Sequence, residues 1–286
     1  MKIVTDCAAD MPLDERERMG IVEAPLYIQF PEGEINSADL TPDEFYNRLE
    51  AMRPEIPTTA QPSSGMFADL YRKLAETSKD ILSVHISSGL SGTFNSARLG
   101  AEHVKEAVVN VLDTMTLSGG ERFQVLAAAM AAKAGWELEA IKERLSAIRE
   151  QTELIYTLET LEYLARGGRI GRVQALMGSA LKLKPIICVE RADGKYSTVG
   201  KSRTIPRALG GIADHLYEMY KDTPVWVTVL HGRFYDGAES LSSLLSERLN
   251  AAKLEVMRIS PVLGVHTGPG IVGAAVVPMK LMEEIE

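Results

Sequence analysis

Asp80-Ile-Leu-Ser-Val-His-Ile-Ser-Ser-Gly-Leu-Ser-Gly-Thr-Phe-Asn-Ser-Ala97 is the stretch on which the fold turns. Its first half, from Ile81 to Ile86, is a short apolar run containing β-branched residues. Its second half passes through small and hydroxylic residues into a segment with helical apolar spacing. The stretch reads as strand, tight loop, helix. A helix entered through Ser88 to Thr93 leaves its first backbone N–H groups unpaired and aimed at the loop, with hydroxyls beside them. Such an entrance suits an anion. Taken alone, Ser91 serves equally well as an ordinary helix cap.

Working outward, strands and helices alternate on both sides. Lys2 to Thr5 is a short strand running into the polar loop Thr5 to Asp10, and Pro12 opens a short helix. Ile21 to Phe30 is rich in β-formers but interrupted by Pro25. Thr41 and Pro42 mark a helix entry, and that helix should end before Pro54. Ile56 to Gly65, dense in prolines and hydroxyls, reads as a restrained loop before an amphipathic helix carrying Phe67, Leu70, Tyr71 and Leu74. Beyond the central stretch come a buried strand from Ala107 to Leu112 and helices over Leu117–Lys133 and Leu138–Arg149. This alternation, with short apolar runs, implies parallel strands covered by helices, whose ligands sit at the carboxyl ends of the strands.

After Gln151 the rhythm changes. Leu154 to Leu158 reads as a strand and Glu159 to Ala165 as a short helix. Pro185–Val189 and Lys195–Val199 flank Arg191-Ala-Asp-Gly194, a hairpin signal. A helix from Ile205 to Tyr220 precedes strand Val225–Leu230, and a helix over Gly237–Leu249 precedes Leu254–Ile259. The fold class expected is therefore α/β with two domains. An N-terminal domain over 1–155 carries a mostly parallel sheet flanked by helices, and a C-terminal α+β domain over 156–286 carries antiparallel strands.

Composition narrows the function. The 286 residues are 45% apolar and 24% charged, ordinary values for a water-soluble globular chain, and no apolar run is long enough to span a bilayer. An acid follows closely on Met1, so no secretory signal is apparent and the cytoplasm is the expected compartment. Cys7 and Cys188 are expected to be free thiols. A net charge of −8 disfavours nucleic acid as a partner. The charge is unevenly spread, since Arg166 to Arg207 carries +8 and the remainder −16. A basic segment in an acidic protein suits the docking of an acidic partner or a phosphorylated group.

Several chemistries fail on their own requirements. Gly268-Pro-Gly-Ile-Val-Gly273 matches a dinucleotide fingerprint letter for letter, but the residues after it look like a strand where a helix is needed. Its glycines instead suit a turn that lets backbone approach a ligand closely. The five histidines (85, 103, 215, 231, 266) show no metal-binding spacing. A serine hydrolase acting on a lipid-like ester, with Ser91 as nucleophile and His85 or His266 as base, is the rival class. Yet Gly89-Leu-Ser-Gly-Thr93 has threonine where the nucleophile elbow needs its last glycine, and no orienting acid stands out. Arg166-Gly-Gly-Arg-Ile-Gly-Arg172 is either a phosphate cradle or a solvated basic turn.

Thr5-Asp6, Pro57-Thr-Thr-Ala-Gln-Pro62, His85-Ile-Ser-Ser-Gly-Leu-Ser-Gly-Thr93, Leu158-Glu-Thr-Leu-Glu-Tyr-Leu-Ala-Arg-Gly-Gly-Arg-Ile-Gly171 and Gly264-Val-His-Thr-Gly-Pro-Gly270 together resemble the DegV family in order and spacing. The resemblance runs over nearly the whole chain. It implies a long-chain fatty acid buried in a tunnel between or within the two domains, as in the fatty-acid-binding subunit of bacterial fatty acid kinase. In that setting the chain does no chemistry alone and needs no cofactor. It presents the carboxylate to a separate ATP-using kinase subunit that makes the acyl phosphate, in phospholipid metabolism, with transient contact at a membrane surface allowed for. Carried over residue by residue, Thr59, Ser91, the N–H of Gly92 and His266 hold the carboxylate, and Arg169 and Arg172 dock the kinase. Two positions depart from the family pattern. Cys7 and Ala60 each stand where the family usually has serine, so any network those hydroxyls support is in doubt.

Overall fold

In the computed structural model, which describes residues 1–176, 183–283 and 285, the central stretch folds as read. The first strands are β1 (Lys2–Asp6), β2 (Ile21–Ala24), β3 (Tyr27–Phe30), β4 (Gly33–Asn36), β5 (Thr58–Ala60), β6 (Asp80–His85) and β7 (Val108–Asp113). They are followed by β8 (Glu153–Leu158), β9 (Lys184–Val189), β10 (Tyr196–Ser202), β11 (Val225–His231), β12 (Ala251–Arg258) and β13 (Ile271–Pro278). Three sheets result. One is parallel, in the order β2-β1-β6-β7, so β6 is an inner strand with its carboxyl end beside that of β1. The second has six strands in the order β10-β9-β8-β13-β11-β12, antiparallel except for the β11–β12 pair. The third is a small antiparallel sheet, β4-β3-β5.

The Ser118–Lys133 helix joins the first two sheets. It touches β1 and β6 on one side and β13 on the other. A helix covered by protein on both sides has no solvent face, which is why Phe123, Val125, Leu126 and the alanines from 127 to 129 are all buried. The largest apolar cluster accordingly includes Ile3 and Val84 of the parallel sheet together with Tyr156, Ile187, Trp226 and Ala275 of the mixed one.

Several expectations need correction. Ile21 to Phe30 breaks around Pro25 as expected, and the two strands it forms lie in different sheets. The Ile56–Gly65 loop contains β5, whose pairing with β3 brings Thr59 opposite Ile28. Val108–Asp113 is the outer strand of its sheet and only partly covered, not a buried one. Pro261–Thr267, assigned no element from sequence, is a buried helix. The short helix after β8 runs from Glu162 to Arg166. Cys7 and Cys188 are free thiols, and of the basic segment, Lys182 lies outside the described residues.

At the meeting of β1 and β6 lies Asp6, fully buried. Its carboxylate accepts from Ala8 N at 3.0 Å, Ile86 N at 3.2 Å and His85 Nδ1 at 2.8 Å. Removing it strands three buried groups, each costly to leave unpaired. Asp6→Ala is expected to lower unfolding free energy by about 3–5 kcal/mol, read as a fall in the urea midpoint at unchanged slope.

Candidate functional site

The loop between β6 and the Thr93–Ala101 helix carries Ser91 and Gly92 to the carboxyl end of the parallel sheet. The cap of that helix is Gly92, one residue beyond Ser91. Ser91 Oγ nevertheless accepts from Thr93 N at 3.3 Å and lies 2.9 Å from Thr93 Oγ1, so it sits on the first turn. Gly92 lies flush against the side chain of Gln61, since a Cβ there would fall 2.5 Å from Gln61 Nε2. The loop is held from the far side by the β9–β10 hairpin, whose Gly194 carbonyl accepts from Ser87 Oγ at 2.8 Å. Arg169 Nε donates to the Leu90 carbonyl at 3.3 Å.

Across from Ser91, the Pro261–Thr267 helix delivers His266. Its Nε2 lies 2.9 Å from Thr59 Oγ1, so β5 and this helix meet through one side-chain bond. The Nδ1 edge rests against Gly167, where a Cβ would come within 2.3 Å of Nδ1, and that nitrogen has no hydrogen-bond partner among the described residues. Burial, aided by the positive charge of Arg169, brings the His266 pKa down to about 4. The ring is therefore a neutral imidazole at physiological pH, with one donor and one acceptor nitrogen. With its proton on Nε2 it donates to Thr59, whose own hydroxyl is then free to donate to an anion.

These residues line one narrow cavity: Thr59, Ala60, Gln61, Ser91, Arg169 and His266 with Ala8, Leu26, Ile86 and Val262, closed by Leu117, Tyr196 and Leu263. A second cavity shares Leu117, Tyr196 and Leu263 and continues past Leu154, Tyr156, Leu230, Ile259 and Ile271 to Gly273 and Ala274 of β13. One end is thus polar and cationic, the other almost wholly aliphatic and aromatic. A carboxylate buried at the polar end would meet hydroxyl and imidazole donors and a guanidinium, which is what a buried anion requires. An alkyl chain in the second cavity would find mostly apolar surface, with Ser118 and Thr267 among the polar exceptions.

Thr59, Ser91 and His266 thus line one cavity, whereas Gly92, the residue after Ser91, packs against Gln61 and is not part of the lining. The two arginines expected to dock a partner part company. Arg172 is exposed, with a 2.6 Å ion pair to Asp193, whereas Arg169 is half-buried and lines the polar cavity. Gln61, Leu117 and Tyr196 were not singled out in the sequence. Gln61 lay within a quoted motif, but nothing local marks Leu117 or Tyr196, which face the cavity only through tertiary packing. Of the departures, Ala60 lines the polar cavity, whereas Cys7 is buried and lines a separate cavity with Asp10, Glu23 and Ser37, its thiol pKa pushed well up by burial. Gly268, with φ of +73°, and Gly270 approach Tyr163 and Glu159 closely, so this turn serves protein packing where a ligand was expected.

The arrangement that hydrolysis needs is absent at Ser91 among the described residues, since its hydroxyl is bonded to Thr93 and to no histidine. A serine–histidine–aspartate chain does exist elsewhere. Ser83 Oγ lies 2.7 Å from His85 Nε2, and His85 Nδ1 lies 2.8 Å from Asp6. All three side chains are fully buried and Tyr71 donates to Ser83, so no substrate reaches it and its place is structural.

Comparison with known proteins points the same way. A family model described as an uncharacterised protein of the DegV family matches residues 1–279. A DegV domain-containing protein of Clostridium perfringens is 36% identical over 276 residues, covering 96% of this chain and 97% of that one. A solved structure described as fatty acid binding of a DegV family protein from Thermus thermophilus has a TM-score of 0.90 at 32% identity, covering 97% of this chain and 99% of that one. DegV of Bacillus subtilis, described as a fatty acid binding protein, gives 0.87 at 29% identity, over 96% and 98% of the two chains. A stearic acid-binding protein from Eubacterium ventriosum gives 0.83 at 27%, over 97% and 98%. Among the described residues, no helix is long and apolar enough to cross a membrane.

Proposed function

This chain belongs to the DegV family, and from that premise we propose that it binds a long-chain fatty acid, with the carboxylate held by Thr59, Ser91, Gly92 and His266. The observation that carries this is a pair of cavities on either side of a shared Leu117, Tyr196 and Leu263 wall, one lined by hydroxyl, imidazole and guanidinium groups and the other largely apolar. Arg169 joins the carboxylate site in this reading, adding a full positive charge beside neutral donors. The chain acts in the cytoplasm as a carrier, without a cofactor. It hands the carboxylate to a separate ATP-using fatty acid kinase, for which the exposed Arg172 is the docking residue.

Organic extraction of the purified protein followed by mass spectrometry is the direct test. Stoichiometric fatty acid, or tight uptake of added palmitate or oleate, is expected. A protein that neither carries nor takes up fatty acid would end the proposal. The two arginines then separate presentation from binding. Arg172→Glu is expected to reduce acyl phosphate formation with the kinase while fatty acid binding persists, and Arg169→Glu to lose both.

A further inference from the structure

Three segments that line or support the lipid site, distant in sequence, meet at a single carboxylate. The turn Cys7–Ala9 contributes Ala8 to the polar cavity and ends on Asp10, whose φ of 52° puts it in the left-handed region. Asp10 Oδ2 accepts from Ser118 Oγ at 2.5 Å. Ser118 is the first residue of the helix between the sheets, also has a positive φ of 53°, and with Leu117 lines the apolar cavity. Asp10 Oδ1 accepts from Ser260 N at 2.6 Å. Ser260 is the N-cap of the helix that carries His266, and its own side chain makes no capping bond.

We propose that Asp10 is a positioning residue for the lipid site, holding the His266 helix and the Leu117–Ser118 wall in register from behind. This rests on the fatty-acid-binding proposal above. The mechanism is geometric. At 1.5 Å of rise per residue, Ser260 and His266 are only about 9 Å apart along a helix of under two turns. So short a helix moves as a unit, and a shift at its start reaches the imidazole. Its other polar anchor near that end is Val262 N to Ser37 Oγ, at 3.1 Å. Burial pushes the Asp10 carboxyl up to about 6 against the opposing pull of its bonds to Ser118 and Ser260, and the charge of Asp6 adds to the rise. A carboxylate kept in so unfavourable a place is held for what it bonds.

The test uses the full chain and two readouts: affinity for a fluorescent long-chain fatty acid, and the NMR titration of the His266 ring without ligand. Asp10→Asn keeps an acceptor for Ser260 N–H and a donor for Ser118, and is expected to behave as the parent in both. Asp10→Ala is expected to weaken binding roughly tenfold or more, by analogy with the loss of hydrogen bonds to charged groups. Its His266 midpoint should rise from about 4 toward ordinary histidine values as the ring loses its burial. Should Asp10→Ala fail to fold, Ser260→Pro removes the N–H and the hydroxyl that face Asp10 and sets a ring carbon against its carboxylate, at a residue whose φ of −64° already suits proline. It is expected to reproduce both changes. Unchanged affinity and an unchanged His266 titration in a folded Asp10→Ala or Ser260→Pro protein overturn the proposal. If the parent itself binds no fatty acid, the lipid proposal fails instead, while the titration still reports on the pin.

Discussion

Exchanging Gly167 for alanine is expected to weaken fatty acid binding roughly tenfold to a hundredfold, with the melting temperature lowered by a few degrees. The added Cβ would stand 2.3 Å from His266 Nδ1 and 3.1 Å from Cε1, closer than carbon and nitrogen approach without a bond. Gly167 has φ of −74° and ψ of −6°, ordinary right-handed values, so alanine adds no backbone strain and restricts the unfolded chain. The ring has to move, and its movement breaks the 2.9 Å contact with Thr59. A hydrogen bond to a charged group is worth about 1.5–3 kcal/mol, which gives the fold-change stated. Titration with a fluorescent fatty acid, set beside a thermal melt, reads both quantities. Unaltered affinity would remove His266 from the carboxylate site.

That contact also shows why only part of the site was legible. Thr59, Ser91 and His266 are 207 residues apart at their extremes, and no periodicity in one sequence brings them together; only the order of several motifs did. What local physics governs was readable. Ile205–Tyr220 is a helix with the expected ends, fixed by Thr204 as cap and Pro206 in the first turn. Thr41 caps the helix it precedes with Pro42 in the first turn, as expected, and Glu44 completes a capping box with it. The failures share one cause, which is tertiary pairing overriding weak local preference. Thr58–Ala60 is a strand only because Tyr27–Gln29 lies beside it. Val108–Asp113 reads as buried from composition, but its place at the sheet edge leaves it half-covered. Arg169 and Arg172 look alike in a run of glycines and arginines. The turn bends one toward the Leu90 carbonyl and leaves the other in solvent with Asp193.

Leu117→Trp is expected to abolish the preference for long chains without closing the polar end. Leu117 is 4% exposed and belongs to the lining of both cavities, at the junction also formed by Tyr196 and Leu263. Its backbone carbonyl accepts from Gly120 N and Glu121 N, contacts a side-chain exchange leaves in place. An indole there fills the junction at an overpacking cost of about 1–3 kcal/mol. A tail excluded from the apolar cavity then loses about 0.8 kcal/mol for each methylene no longer buried, so eight methylenes amount to about 6 kcal/mol. In the parent, affinity should climb with every added carbon from octanoate to stearate. In the variant the climb should stop once the tail reaches the indole, while octanoate, held by Thr59, Ser91 and His266, binds nearly as before. A series of isothermal titrations over chain length measures the slope directly. If the variant keeps the parent's slope, the tail does not pass between Leu117, Tyr196 and Leu263. If octanoate binding is lost as well, Leu117 supports the carboxylate end through the start of the Ser118–Lys133 helix, and the two cavities cannot be altered one at a time.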